Sequence, residues 1–279
     1  MRLDESYSYC RRVARTRAKN FYYAFRLLDA ARRDALCSVY AFMRQCDDLS
    51  DEPGASLEVL EAWRQQMHGA LAGNTGTHPL WPAFADTAAR YRIPTRYFDD
   101  MVDGVSSDLV RQRIDTFAEL YRYCYQVASV AGLSLIHIFG FDRPEALTLA
   151  ERCGIAFQLT NILRDVREDA LLGRTYLPRE DIERFGVHEE VFRHGRETEA
   201  FRALMRFEAN RARAYFAESA PLVGMVDRAC RPSLAALIEI YSRLLDRIEQ
   251  ADYAVLERRI RLPAAEKLWI LLRHRWTSY

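Results

Sequence analysis

Apolar residues recur at three- and four-residue intervals along most of the 279-residue chain, the spacing of one buried helical face. It predicts helices from Asp4 to Ala18, Ala30 to Asp51, Leu57 to Leu71, Trp81 to Tyr91, Pro94 to Val105, Thr116 to Phe139, Pro144 to Leu172, Glu197 to Glu218, Pro232 to Glu249 and Pro263 to Arg275. The breaks fall at "DEPG", "GNTGTHP", "GFDRP" and "GRTYLP", where Pro and Gly interrupt helical backbone. No two-residue alternation marks a strand, and no break is long enough to separate two independent units. The pattern therefore predicts one all-α domain over residues 1–279.

Two of these helices carry charge where the pattern demands apolar residues. In "YAFMRQCDDLSDE" (Tyr40 to Glu52), Tyr40, Arg44, Asp47 and Asp51 lie at offsets 0, 4, 7 and 11, with Asp48 just beside them. In "FQLTNILRDVREDALLGRTYLP" (Phe157 to Pro178), Gln158, Asn161, Asp165 and Asp169 lie at 0, 3, 7 and 11. At about 100° per residue each set forms a narrow stripe on one face. The remaining positions are Leu36, Val39, Ala41, Phe42 and Met43 in one helix and Ala156, Phe157, Leu159, Ile162, Leu163 and Val166 in the other. Both helices should be buried, with the stripes turned to an internal cavity.

Carboxylates on adjacent turns repel, and burial sharpens the cost. A hard divalent cation relieves both, and Mg²⁺ commonly combines a few carboxylates with water and substrate phosphates. One isolated D-x-x-x-D reads as a solvated helix end; two such stripes on apolar helices favour a metal site for a diphosphate substrate. Spacing alone is also compatible with other phosphate chemistry.

Composition narrows the alternatives. Forty basic residues against 39 acidic ones exclude the global positive field of a non-specific nucleic-acid binder. Six scattered cysteines without a C-x-x-C pair suit buried thiols in a reducing cytosol. The six histidines show no metal-ligand spacing, and His137, within "SLIHIFGF", reads as a core residue. With no apolar run of spanning length, the expected location is cytoplasmic. The C-terminal "LWILLRHRWTSY" reads first as a core helix, with peripheral attachment to the inner face of a membrane as the alternative.

The chain resembles the squalene and phytoene synthases, helical head-to-head prenyltransferases, from "NFYYAF" (Asn20 to Phe25) through both aspartate segments and "YCYQVASVAG" (Tyr123 to Gly132) to "IYSRLLDRIE" (Ile240 to Glu249). The tyrosine-rich segments and "IHIFG" are most similar to bacterial enzymes that make presqualene diphosphate for hopanoids. The resemblance implies an isoprenoid-synthase-type fold around a deep central cavity, with Asp47, Asp51, Asn161, Asp165 and Asp169 holding Mg²⁺ or, in its place, Mn²⁺. It further implies that Tyr40, Arg44, Gln158, Asn161, Arg164 and Arg174 grip phosphate oxygens or order the metal shell, and that Tyr176 and Tyr241 line the site. Phe21, Tyr22, Phe25 and Tyr125 are candidate aromatic faces for passing positive charge. Relatives often carry His or Ser where this chain has "RAKN" (Arg17 to Asn20), and Arg258, Arg259, Arg261 and Lys267 are further candidate phosphate contacts.

The activity so implied is condensation of two farnesyl diphosphates to presqualene diphosphate, without NADPH. Phytoene synthesis from two geranylgeranyl diphosphates is the alternative, and an inactive assembly factor on the same fold is the alternative of another class. Implied partners are prenyl diphosphates and downstream isoprenoid enzymes, with no nucleic acid.

Overall fold

A computed structural model describes residues 1–18, 21–110, 113–188, 190–195 and 197–277. Its helices, in chain order, are α1 (Leu3–Arg17), α2 (Phe21–Phe25), α3 (Ala30–Asp51), α4 (Leu57–Leu71), α5 (Trp81–Arg90), α6 (Thr95–Val110), α7 (Phe117–Cys124), α8 (Val130–Phe139) and α9 (Glu145–Leu171). They continue with α10 (Arg179–Arg184), α11 (Glu190–His194), α12 (Glu199–Ser219), α13 (Leu222–Met225), α14 (Arg231–Gln250) and α15 (Ala264–Trp276). Among the described residues there is no strand, only two isolated bridges, Arg113 to Thr175 and Phe141 to Val226.

Local chemistry sets several starts. Asp29 accepts from the Arg32 N–H at 2.9 Å and caps α3, while Thr198 accepts from Phe201 N–H at 3.1 Å and caps α12. Helix α9 is buried around much of its circumference, with the four consecutive residues Cys153, Gly154, Ile155 and Ala156 all enclosed, because it runs between α8 and α12. Helix α3 packs against α1, α5, α6 and α8. Two apolar clusters result, one built largely on α3, α5 and α6 and the other on α9, α12 and α14. Phe21, Leu135 and Phe157 pack against both, so the seam between the clusters is where the cavity opens.

Two predicted helices need correction. The stretch expected as one helix from Thr116 to Phe139 is interrupted by a π-helical turn, Tyr125–Ser129. Helix α6 continues past Val105 to Val110, which brings Asp108 onto the cavity wall. The π turn fits because its neighbours are glycines. A Cβ on Gly154 of α9 would lie 2.5 Å from Ser129 Cα, and one on Gly104 of α6 would lie 2.8 Å from Val127 Cγ1. π turns commonly re-aim side chains at functional sites, and this one presents Val127 and Ala128 to the cavity.

Gly154→Ala is expected to destabilise the protein by about 1–3 kcal/mol, the usual cost of overpacking a core. Gly104→Ala should cost less, because the nearest atoms it meets belong to side chains. Thermal denaturation checks the ranking; an unchanged melting temperature for Gly154→Ala would contradict this packing.

Candidate active site

The seam holds a cavity of about 300 Å³ that is largely apolar, walled by α2, α3, α6, the π turn, α8, α9 and α14. Phe21 and Phe25 of α2, Tyr40 and Asp47 of α3, Gln158 and Asn161 of α9 and Tyr241 of α14 all face it, as the sequence predicts. At its polar end Phe21, Tyr40, Asp47, Asn161 and Tyr241 are shared with a second chamber of about 460 Å³. Arg17, Arg44, Arg164, Arg259, Arg261 and Lys267 wall that chamber. An apolar pocket thus opens into a strongly cationic one, a layout matched to an apolar chain bearing an anionic head.

The aspartates are tied to these cations. Asp48 accepts from Arg17 at 2.8 Å and from Arg44 one turn before it, and Arg44 Nη1 lies 4.0 Å from Asp47. Arg164 donates from Nε to Asp165 at 2.8 Å, and Arg259 reaches the same carboxylate at 2.8 Å. Arg174 donates to Asp51 at 3.2 Å, joining the loop after α9 to the end of α3. Of the four candidate phosphate cations near the C-terminus, Arg259, Arg261 and Lys267 line the chamber and Arg258 does not.

Burial leaves two carboxyls short of compensation. The Asp47 carboxyl is pushed up to about 7, by burial first, with Asp51, Asp48 and Asp108 adding to the rise and Arg44 opposing it. Its side chain keeps 42 % exposure, on a surface that lines both the cavity and the chamber. Asp169 is also pushed up to about 7, by burial and then by Asp165. Burial lifts the Tyr40 hydroxyl to about 12, so it stays a neutral donor. Asn161 donates to Gln158 at 3.3 Å, while its own buried Oδ1 has no hydrogen-bond partner.

These features fit a hard divalent cation: every candidate donor is an oxygen, two carboxyls gain from added positive charge, and the Asn161 oxygen is unmatched. Among the described residues no three acidic, His or Cys side chains close into a protein-only cage. Mg²⁺ does not require one, since substrate phosphates complete its shell.

Some expectations are corrected. Asp51 does not face the interior; its side chain is 51 % exposed at the rim. Tyr22 packs against the α3-side cluster and does not line the cavity. Tyr125, turned by the π helix, donates to Asp100 of α6 at 3.3 Å and also lies off the cavity wall. Asp169, Arg174 and Tyr176 line a narrow crevice beside the main cavity. Lys19 and Asn20 fall outside the described residues.

Two residues were not singled out from the sequence. Asp108 accepts from Tyr176 at 2.9 Å and from Tyr123 at 3.0 Å, and the two rings stack at 4.9 Å with 17° between their planes. Asp108 and Tyr123 both line the cavity. The available signal was a carboxylate extending the apolar stripe of Tyr97, Met101 and Val105 by one further turn.

The sequence profile described as squalene/phytoene synthase matches residues 4–266. The chain belongs to the squalene/phytoene synthase family. It is 36 % identical over 284 residues to a 15-cis-phytoene synthase of Synechocystis, covering 96 % of this chain and 84 % of that one. The 15-cis-phytoene synthase of Synechococcus elongatus is 35 % identical over 281 residues, covering 95 % and 91 %. The fold matches a crystal structure of a dehydrosqualene synthase in complex with ligand at a TM-score of 0.91, with 30 % identity and 98 % and 96 % of the two chains covered. It matches squalene synthase HpnC from Alicyclobacillus acidocaldarius at 0.84, with 30 % identity and 90 % and 95 % covered. This squalene/phytoene synthase family member is a prenyltransferase that condenses two prenyl diphosphates head to head.

Proposed function

We propose that the protein joins two geranylgeranyl diphosphates into the C40 product phytoene. The observation that carries the reading of the site is the continuity of the apolar cavity with the cationic chamber through Tyr40, Asp47 and Asn161. For chain length, support comes from relatives named phytoene synthase at 35–36 % identity over at least 95 % of the chain. They move the assignment away from the farnesyl reading drawn from the tyrosine-rich segments. Small side chains agree: Ala128, Ala131, Gly132, Ala150 and Cys153 line one side of the cavity and leave room for a long tail. The C30 reading stays the second one, because the dehydrosqualene synthase shares the fold at a TM-score of 0.91.

In this reading the prenyl tails lie in the cavity and the diphosphates in the chamber. Arg44, Arg164, Arg259, Arg261 and Lys267 neutralise phosphate charge, and the planar fork of Arg suits paired phosphate oxygens. Asp47, Asp51, Asn161, Asp165 and Asp169 would hold Mg²⁺, which when bound would supply Lewis-acid stabilisation to the departing diphosphate. The C–O bond of the donor breaks, the acceptor's double bond attacks the allylic cation, and loss of a proton closes a cyclopropane. The released diphosphate accepts that proton. A second ionisation, rearrangement and proton loss then give the C40 product, with a conjugated triene at its centre, without any reductant. Phe21 lies 5.7 Å from the Tyr241 ring, and Tyr241 stacks on Phe157 at 4.1 Å, so aromatic faces flank the route of the cation. The apolar wall offers no hydrogen bonds to the water that would quench it. Tyr40, at the junction, and Gln158, hydrogen-bonded to Asn161 on the cavity side, orient the diphosphate.

Purified protein with Mg²⁺ should convert geranylgeranyl diphosphate to phytoene at least about tenfold more efficiently than it converts farnesyl diphosphate, a discrimination within reach of pocket shape. NADPH should leave the product unchanged. Preferential C30 formation would overturn the chain-length assignment, as would squalene made only when NADPH is added. No product from either substrate would favour an inactive assembly factor.

A further inference from the structure

A buried ion cluster outside the cavity has no part in the steps above. Asp181 of α10 and Glu208 of α12 are 4 and 1 % exposed, and both accept from the same nitrogen of Arg211, Nη1, at 2.9 and 2.8 Å. The Arg211 guanidinium also lies over the rings of Phe117 and Phe207, at 3.9 and 4.8 Å. Burial pushes the Glu208 carboxyl up to about 7, with Arg211 opposing the rise and Asp181 adding to it. One cation for two enclosed acids is a poor device for stability, since desolvation offsets most of the attraction. What it supplies is a fixed geometry, because a guanidinium fork bonded to two carboxyls and stacked on a ring has little freedom to turn.

That geometry leads to the active site. Arg174, bonded to Asp51, and Tyr176, bonded to Asp108, stand on the short segment between α9 and α10, and Asp181 follows Tyr176 by five positions. The link is stiff: Leu177 is buried, Pro178 holds φ at −58°, and α10 begins at the next residue. On its outer side the same segment runs along residues 113–117. Thr175 bridges to Arg113, and the N–H groups of Arg179 and Glu180 donate to the carbonyls of Ile114 and Asp115 at 2.9 and 3.0 Å. Phe117 N–H donates to Glu180 Oε1 at 2.7 Å. Arg211 closes this frame, holding Asp181 from one strip and Phe117 from the other against α12.

We propose that Arg211 is a positioning residue for the condensation: with Asp181 and Glu208 it seats both strips on α12, and so sets Arg174 and Tyr176 beside the carboxylates of the site. The inference rests on the placement of those two residues in the site, and is independent of the chain length of the substrate.

The test replaces the cluster by apolar side chains, Asp181→Leu, Glu208→Leu and Arg211→Met together, in the full chain with Mg²⁺. Geranylgeranyl and farnesyl diphosphate are each supplied and the released diphosphate is measured, so either chain length gives a signal. Removing the charges together strands none of them, and the triple variant should melt close to wild type. Its kcat should nevertheless fall at least about tenfold, the scale of a displaced positioning group. Arg174→Gln alone should cost a similar factor, and adding it to the triple variant should cost less than about threefold more, because both act through one segment. Should the triple variant not fold, Asp181→Asn carries the same comparison, with a loss of at least about threefold that does not add to that of Arg174→Gln. Wild-type kcat in the cluster variants, or losses that add in full, would overturn the proposal while leaving the site reading intact. Arg174→Gln at wild-type turnover, or no diphosphate released by the wild type from either substrate, would overturn it by removing the reading on which it stands.

Discussion

Asp47→Asn is expected to reduce turnover on the order of a thousandfold, since Lewis-acid stabilisation of a departing diphosphate is worth several kcal/mol, while the metal-free variant melts at a higher temperature than the wild type. The two effects share a cause. Asp47 and Asp169 titrate near 7 in the folded protein, raised by burial and neighbouring carboxylates, against an ordinary value of 3.8. Between about pH 4 and pH 7 the folded chain therefore holds more protons than the unfolded one, and metal-free stability falls as pH rises through that window. An amide at position 47 removes one of these carboxylates and flattens the fall. Mg²⁺ at pH 8 should raise the melting temperature of the wild type, and of the variant by clearly less. Turnover close to wild type, or a variant that melts lower at pH 8 without metal, would contradict the role assigned to this carboxylate.

The long helices were legible because periodicity and punctuation agree in them. The stretch from Ala30 to Asp51 is observed with the predicted ends, and α9 differs from its prediction by one residue at each end. The stripe of Tyr40, Asp47, Gln158 and Asn161 reached the cavity for the same reason, since position on a buried helix fixes direction. The π turn was not legible: Tyr125–Ser129 keeps the apolar spacing and changes only its hydrogen-bond register, which sequence does not display. Gly104 and Gly154 were its trace, as they make room for backbone far away in sequence. That one change in register accounts for Tyr125 turning towards Asp100 instead of the cavity. The chamber cations were open for another reason. Arg258, Arg259 and Arg261 precede α15 in an irregular segment, which is placed by tertiary contacts: Arg259 pairs with Asp165 and Glu168, and Ile260 and Leu262 are buried.

Asp108→Ala is expected to cost activity and stability together, whereas Asp108→Asn should cost mainly activity. Burial raises the Asp108 carboxyl, and the hydroxyls of Tyr176 and Tyr123, with the charge of Arg174, pull it back towards the ionised form. Both tyrosines donate to it, so it acts as a pure acceptor that fixes two stacked rings on the cavity side of the aspartate helices. Alanine leaves two phenolic hydroxyls, one of them on the nearly enclosed Tyr123, without their acceptor. Each buried group so stranded costs about 1–3 kcal/mol. Asparagine keeps the volume but offers one acceptor oxygen and one donor, so one tyrosine keeps donating while the other must turn its O–H away and accept from the amide N–H. With the carboxylate's charge gone and that hydroxyl redirected beside the cavity, turnover should fall about a hundredfold, the scale seen when a positioned polar group is lost from an active site. Tyr176→Phe removes one donor and keeps the stack, and should fall between Asp108→Asn and wild type in turnover. Melting curves and single-turnover rates on the three variants check the order; Asp108→Ala at wild-type turnover, or Tyr176→Phe below Asp108→Asn, would show that the carboxylate does not organise this wall.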